Sequence, residues 1–452
     1  MIREELLYQI NDLFKIDNQK GLLRLVRNTP SNDLAEALDT ADQAFQLKLL
    51  RCLPSGPKAL LFSHLNTELQ DKLIMAMTLE EATELLTHMP SDDRVDIYNR
   101  MPQNYRIKVM QGMAQRERDD ILKMASFAEG TTGAMTTSDY VSISSGITVR
   151  EALQKVRLQA PNKETIYTIY VTNSERQLEG TLSLRDLIMA AEDQTVDSIM
   201  RTEIVFAKAE WPREQTANLI SRYDLLAIPV INGGNRLIGI VTVDDAMDVS
   251  EEEATEDFHK GGGTMALKNI SMKDATVSLL YRKRVFWLVL LVFGNIFSGA
   301  GIAHFEDAIL AYVALVFFLP LLIDSGGNAG AQSSTLMVRA LATGDVILKD
   351  WFSMLGREFS VALLLGVTIG LAVATLGIFR GGYEIALVVS MSMVAIVIVG
   401  SVIGMSLPFI LSRFKLDPAA ASVPLITTIA DGVGVIIFFS IAVMMLDMPA
   451  DV

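Results

Sequence analysis

One cysteine, Cys52, and four histidines are all that 452 residues contain. A lone cysteine excludes an intrachain disulfide and any CxxC metal site, and scattered histidines leave zinc chemistry without its usual ligand spacing. Basic charge is scarce as well: 39 Lys and Arg against 53 Asp and Glu give a net charge of −14. That balance argues against nucleic acid, which needs a basic stripe, and fits cations as partners. Residues 1–260 lack long apolar runs, and the N-terminal "MIREELLYQI" lacks the apolar core of a signal sequence. This part is therefore expected to stay in the cytosol. No nucleophile–base set, phosphate-binding loop or zinc motif occurs, so an enzyme is the least favoured class.

What is present is unevenly spread. Apolar residues make up 50% of the chain, concentrated beyond Val285. Charge-free runs occupy 285–303, 308–323 (continuing past Asp324 to Val338), 359–379, 385–412 and 418–446. With about 20 apolar residues needed per span, five transmembrane helices are expected. "YRKR" (281–284) precedes the first, and Arg339, Lys349, Arg357, Arg413 and Lys415 fall in alternate loops. The opposite loops hold only Arg380, so the pattern places the N-terminus in the cytoplasm and the C-terminus outside the cell membrane. Five helices leave little room for a path inside one subunit, so a homodimer in membrane lipid is expected.

Two stretches break the apolar pattern. "FLPLLIDSGGNAGAQSST" (318–335) carries Asp324, Asn328, Gln332 and three glycines. Glycines alone fit close helix packing; the amides and the carboxylate favour a polar path. "DPAAASVPLITTIADG" (417–432) holds Asp417 near the cytosolic end and Asp431 deeper, about 21 Å apart if one helix joins them. Pro424 is expected to loosen that helix. Asp417 also suits a helix N-cap, whereas an ionisable group as deep as Asp431 points to function. Every candidate ligand is a hard oxygen, which suits Mg²⁺, Ca²⁺ or Mn²⁺. Mg²⁺ keeps most of its water and binds through one or two carboxylates, so Asp431 from two subunits suits hydrated Mg²⁺.

The cytosolic half contains a repeat. Residues 166–187 align with 225–246 at a constant offset of 59, pairing Val171 with Val230, Gly180 with Gly239 and Asp186 with Asp245. Each unit reads as strand, turn, strand and helix start after an amphipathic helix (about 149–159 and 213–223). The pair resembles tandem CBS domains, which implies possible adenine-nucleotide (ATP) contacts at Ser183/Asp186 and Thr242/Asp245. Residues 1–125 read as short helices broken at "LPSGP", "HMPSDD" and "RMPQN", with Asp92 and Asp96 on one helix face. From Asp244 to Asp257 there are eight acids and no base. Interspersed apolar residues make this a helix, and its self-repulsion calls for cations or a basic partner.

Taken together, "PLLIDSGGNAGAQSST", "DPAAASVPLITTIAD" and "VTVDDAMDVSEEEATEDFHK" resemble the MgtE family of Mg²⁺ channels and transporters, as does the order of parts. The expected fold is multidomain. It comprises an all-α superhelical N domain (1–125), an α/β tandem CBS pair (126–243), an acidic connecting helix (244–264), an amphipathic lead-in (265–284) and a membrane domain of five transmembrane helices (285–452). The resemblance implies pore Mg²⁺ ligands at Asp431, Asp417 and Asn328. It also implies cytosolic Mg²⁺-sensing residues at Asp92, Asp96, Asp245, Asp248, Glu253, Glu256 and Asp257, through which internal Mg²⁺ closes the pore. Asp324 lies outside that correspondence. Two alternatives stay open: gradient-coupled transport of Mg²⁺ or Co²⁺, and a membrane-anchored Mg²⁺ or nucleotide sensor without flux.

Overall fold

Proline and short polar caps divide the first 125 residues. In the computed structural model, which describes residues 2–265 and 275–446, helix follows helix at intervals of about a dozen residues. They are α1 (Ile2–Lys15), α2 (Gln19–Asn28), α3 (Ser31–Leu38), α4 (Gln43–Cys52), α5 (Ser55–Ser63), α6 (Thr67–Ala76), α7 (Leu79–His88), α8 (Ser91–Arg100), α9 (Gln103–Gly112) and α10 (Gln115–Met124). Pro30, Pro54, Pro90 and Pro102 stand immediately before α3, α5, α8 and α9, where a missing N–H costs nothing. Asp42, Asn66 and Thr78 cap α4, α6 and α7 with side-chain oxygens. Alternate helices stack, α3 on α5 on α7 on α9 and α6 on α8 on α10. Their inward faces form one continuous core that includes Leu38, Leu49, Phe62, Leu73 and Leu85.

The repeat folds twice in the same way. Strand β1 (Val141–Ser144) pairs parallel with β2 (Thr168–Thr172), which pairs antiparallel with β3 (Leu178–Ser183). Strands β4 (Ala207–Lys208), β5 (Ala227–Ile231) and β6 (Leu237–Thr242) repeat the arrangement. Val171 faces Gly180 and Val230 faces Gly239, each followed by a bulge, so the offset of 59 holds in the hydrogen-bond register itself. Helices α11 (Val149–Gln159) and α13 (Arg213–Tyr223) precede the paired strands, and α12 (Leu184–Met189) follows β3. The segment between α10 and β1 joins the second sheet: Thr137 and Ile240 exchange both backbone hydrogen bonds at 2.9 Å. Gly239 is required there, because a Cβ would strike the Thr137 carbonyl and side chain of Thr136.

From Thr242 the chain runs straight into α14 (Val243–Gly261), the acidic helix. Residues 266–274 of the amphipathic lead-in expected at 265–284 lie outside the described residues. Its described end belongs to one helix with the first apolar run, α15 (Val277–His304), capped by Thr276. A short α16 (Glu306–Ala311) follows, then α17 (Ala314–Ala342), which stays helical through Pro320.

The next helical stretch, α18 (Trp351–Arg413), reverses at Gly382, whose φ of 81° only glycine adopts readily. Its arms lie antiparallel: Gly366 abuts Val394, Gly370 abuts Ser390 and Gly377 abuts Ala386. The described residues thus contain five apolar helical segments, ending with α19 (Val423–Met445). Pro424 occupies the first turn of α19 and starts the helix, contrary to the loosening expected of it, because first-turn N–H groups have no intrahelical partner. Asp417 instead caps a separate short 3₁₀ turn, Pro418–Ala420, accepting from the Ala419 N–H at 2.8 Å. Asp417 and Asp431 are therefore not on one unbroken helix.

The chain divides into two compact units, Met1–Ser250 and Glu251–Val452. The candidate residues are best described within each.

Candidate metal sites

In the first unit the N domain meets the repeat through small hydroxyls. Ser91, at the start of α8, shares a 2.9 Å hydrogen bond with Thr137 and accepts from the Ser138 N–H at 2.7 Å. Ser138 in turn donates to Asp120 at 2.9 Å. This junction carries Asp92 and Asp93, the next residues of α8, toward Asp245 at the start of α14 and Glu164 in the loop before β2.

The result is a concentration of buried carboxyls. Burial, then the charges of Asp245, Asp93 and Glu164, hold Asp92 well above the usual carboxylate range. Burial followed by Asp245 and Asp96 pushes Asp93 up to about 7. Burial also pushes Glu164 to about 7 and Asp245 to about 6, against the hydrogen bonds that Thr137 and Thr242 supply. Asp248, one turn along α14, adds its charge to Asp245. Among the described residues, the buried Asp92 Oδ1 has no hydrogen-bond partner. An orphaned buried carboxylate oxygen among like charges is costly unless a proton or a cation joins it.

Asp93 and Glu164 were not singled out by sequence. Asp93 stands beside Asp92 in "SDDR" but one position round the helix, and Glu164 sits in a loop with no pattern around it. The expected nucleotide positions are both engaged locally. Ser183 accepts from the Asp186 N–H at 3.0 Å in a capping box, and Thr242 donates to Asp245 at 2.6 Å. Asp245 belongs to the acidic group, while Asp186 lies near Arg201 and Arg185, and its hydrogen bond with Ser183 holds it below the usual range.

In the second unit the end of α14 carries Glu253, Glu256 and Asp257. Lys260 reaches back one turn to Glu256 at 2.6 Å and across to Asp417 at 2.5 Å. Burial works against its charge, but these two carboxylates override it and raise its pKa. Asp257 is raised, first by burial and then by the charge of Asp417. Gly263, at a φ of +69°, lies so close to Trp287 that a Cβ would come within 2.7 Å of the indole.

Asp431 is half-buried on α19 and meets no hydrogen-bond donor among the described residues; the charge acting on it is that of Asp324. Thr427 and Thr428 donate to the Pro424 carbonyl at 3.0 and 2.9 Å instead. On α17, Gly326, Gly327 and Gly330 turn inward, where a Cβ would strike Ile396, Thr427 and the Gly400 carbonyl respectively. Asp324, Asn328, Gln332 and Thr335 occupy the opposite, exposed face at helical spacing, with Asn328 and Gln332 in an open groove. Among the described residues no three His, Cys, Asp or Glu side chains form a ready cage for a bare ion. Oxygen-rich walls without a cage suit a cation that keeps its water.

Comparison with known proteins agrees with the order of parts. The family profile "MgtE: Divalent cation transporter" matches residues 319–441, "MgtE intracellular N domain" matches 29–130, and the CBS domain matches 133–193 and 196–252. The magnesium transporter MgtE of Thermus thermophilus is 39% identical over 333 residues, 74% of each chain. Its counterpart in Bacillus subtilis is 38% identical over 320 residues, 71% of this chain and 70% of that one. A crystal structure of the soluble part of a magnesium transporter superposes with a TM-score of 0.54 at 28% identity, covering 56% of this chain and 99% of the other. The cytosolic domain of the Mg²⁺ channel MgtE in complex with ATP gives a TM-score of 0.51 at 30% identity, over 54% and 99%.

Proposed function

The chain belongs to the MgtE family of magnesium transporters, a multi-pass membrane protein and not an enzyme, and from that premise we propose that it is a Mg²⁺-selective channel for uptake. It works as a homodimer, and internal Mg²⁺ closes it. The observation that carries this reading is Asp431, a carboxylate within an apolar helix whose charged neighbour is a second carboxylate, Asp324. A charge in such a place costs several kcal/mol unless water or a counter-ion joins it. A passing hydrated Mg²⁺ supplies that counter-charge, and a second copy of the chain doubles the carboxylates facing it. Asp417 and Asn328 extend the oxygen surface along the path.

Closure follows from the acidic groups. Asp92, Asp93, Glu164 and Asp245, with Asp96 and Asp248 adjoining, repel one another until Mg²⁺ draws α8 and the start of α14 together. Glu253, Glu256 and Asp257 act in the same sense beside Asp417. The buried Asp92 Oδ1, without a hydrogen-bond partner among the described residues, supports a cation there. The relative solved with ATP supports nucleotide binding, and Ser183 and Asp186, with Arg185 and Arg201 nearby, are the better-placed contacts.

The test is Mg²⁺ flux into proteoliposomes, comparing wild type with Asp431→Ala at low cytosolic-side Mg²⁺. Conduction by wild type and none by a folded, dimeric mutant is expected. Equal conduction by both would remove Asp431 from the path, and flux that follows a Na⁺ or proton gradient would replace the channel by a coupled transporter.

A further inference from the structure

We propose that Asp324 is a positioning and selectivity residue of the ion path: its carboxylate turns the Asn328 carbonyl oxygen outward and adds a second negative charge beside Asp431. The inference rests on the reading of this region as a cation path.

Asn328 Nδ2 donates to Asp324 Oδ2 at 3.0 Å, one helical turn apart on the exposed face of α17. A carboxylate can only accept, so the amide must present its NH₂ to Asp324, and Oδ1 then lies at the opposite end of the amide. Unpaired, the Asn328 amide could turn either end outward. A hydrated cation offers water hydrogens, so its wall needs acceptors rather than N–H donors. Asp324 therefore converts an ambiguous amide into an acceptor, while its own Oδ1 adds another.

Charge gives the second part. The charge of Asp324 on α17 reaches Asp431 on α19 through space. One divalent cation neutralises such a pair; one monovalent cation leaves a net negative charge. The neighbouring hydroxyl does not relieve Asp324, because Ser325 donates to the Leu321 carbonyl at 2.7 Å. A carboxylate facing lipid at this depth is costly, whereas one facing a watery path between copies is not.

The experiment uses the full chain in proteoliposomes. It measures the Mg²⁺ dependence of flux and the Mg²⁺-to-Na⁺ permeability ratio for wild type, Asp324→Asn, Asp324→Glu and Asp324→Ala. Asp324→Asn is nearly isosteric and keeps an acceptor for Asn328, so it isolates the charge. It should raise the half-saturating Mg²⁺ about fivefold and lower the permeability ratio similarly, the scale of a modest charge coupling. Asp324→Glu should recover part of both. Asp324→Ala should also lower maximal flux, and adding Asn328→Ala should change little more, since the two act as a unit. If all Asp324 variants match wild type while Asp431→Ala abolishes flux, this inference falls and the channel reading stands. If Asp431→Ala conducts like wild type, both fall.

Discussion

Lys260 at the end of the acidic helix and Asp417 before the last apolar helix lie 157 positions apart in sequence and meet at 2.5 Å. The ammonium also holds Glu256, so a tethered cation sits among three acids including Asp257. Just past the end of α14, Gly263 packs close to Trp287 and the Met265 N–H donates to the Lys283 carbonyl at 3.3 Å.

Removing that ammonium withdraws its positive charge from Asp417, Glu256 and Asp257. Lys260→Met is expected to raise the internal Mg²⁺ needed for half-inhibition, by roughly fivefold at most because the pair is partly exposed. Flux measured against cytosolic-side Mg²⁺ checks it. Inhibition at unchanged Mg²⁺ would mean that the contact does not bear on closure.

The acidic junction predicts a pH dependence. Asp93 and Glu164 stand at about 7 and Asp245 at about 6, above the usual unfolded values near 4. Between those limits the folded state binds more protons, so stability falls as pH rises from about 4 to about 7 and levels off beyond. In chelator, the Tm of the cytosolic transition should drop from pH 5 to 8. Millimolar Mg²⁺ should flatten the drop, and Asp245→Asn should reduce it. A Tm indifferent to pH in chelator would contradict the burial of these groups.

Helices α17 and α18 touch backbone to backbone. A Cβ on Gly404 would run into the Gly330 carbonyl, and one on Gly330 would come within 2.7 Å of the Gly400 carbonyl. Backbone cannot yield as a side chain can, so Gly404→Val is expected to cost about 3 kcal/mol or more. Thermal unfolding in detergent, with gel filtration for assembly, reports the loss.

Gly382 offers a contrasting case. Among the described residues no atom lies within 4 Å of its missing Cβ, yet its φ is +81° and ψ is −175°. Gly382→Ala should therefore cost about 1–3 kcal/mol through backbone strain alone. Gly356→Ala, in a helix with equally open space, should instead stabilise by about 0.5–1 kcal/mol. Equal shifts at both positions would show that the reversal at Gly382 tolerates another conformation.

Much of the architecture was legible because its signals are local. Helices α11 and α13 begin and end at the positions read from amphipathic spacing, 149–159 and 213–223. Pro424 misled because a proline inside an apolar run reads as a break, while in the fold it opens the helix. The split between lead-in and first span at Val285 was drawn from charge, but α15 carries Tyr281 to Arg284 without interruption, since basic side chains at a helix end do not break the helix.

Sequence alone determined where helices and strands lie, how the repeat registers and which segments are apolar enough to cross a membrane. Those features depend on periodicity, caps and turn residues within a few positions. Only the tertiary structure decided that Asp93 and Glu164 join Asp92 and Asp245, that Lys260 finds Asp417, and that the Asn328 amide donates to Asp324. Charges meet through space, and nothing in the residues beside Glu164 or Lys260 records which distant carboxylate the fold will bring to them.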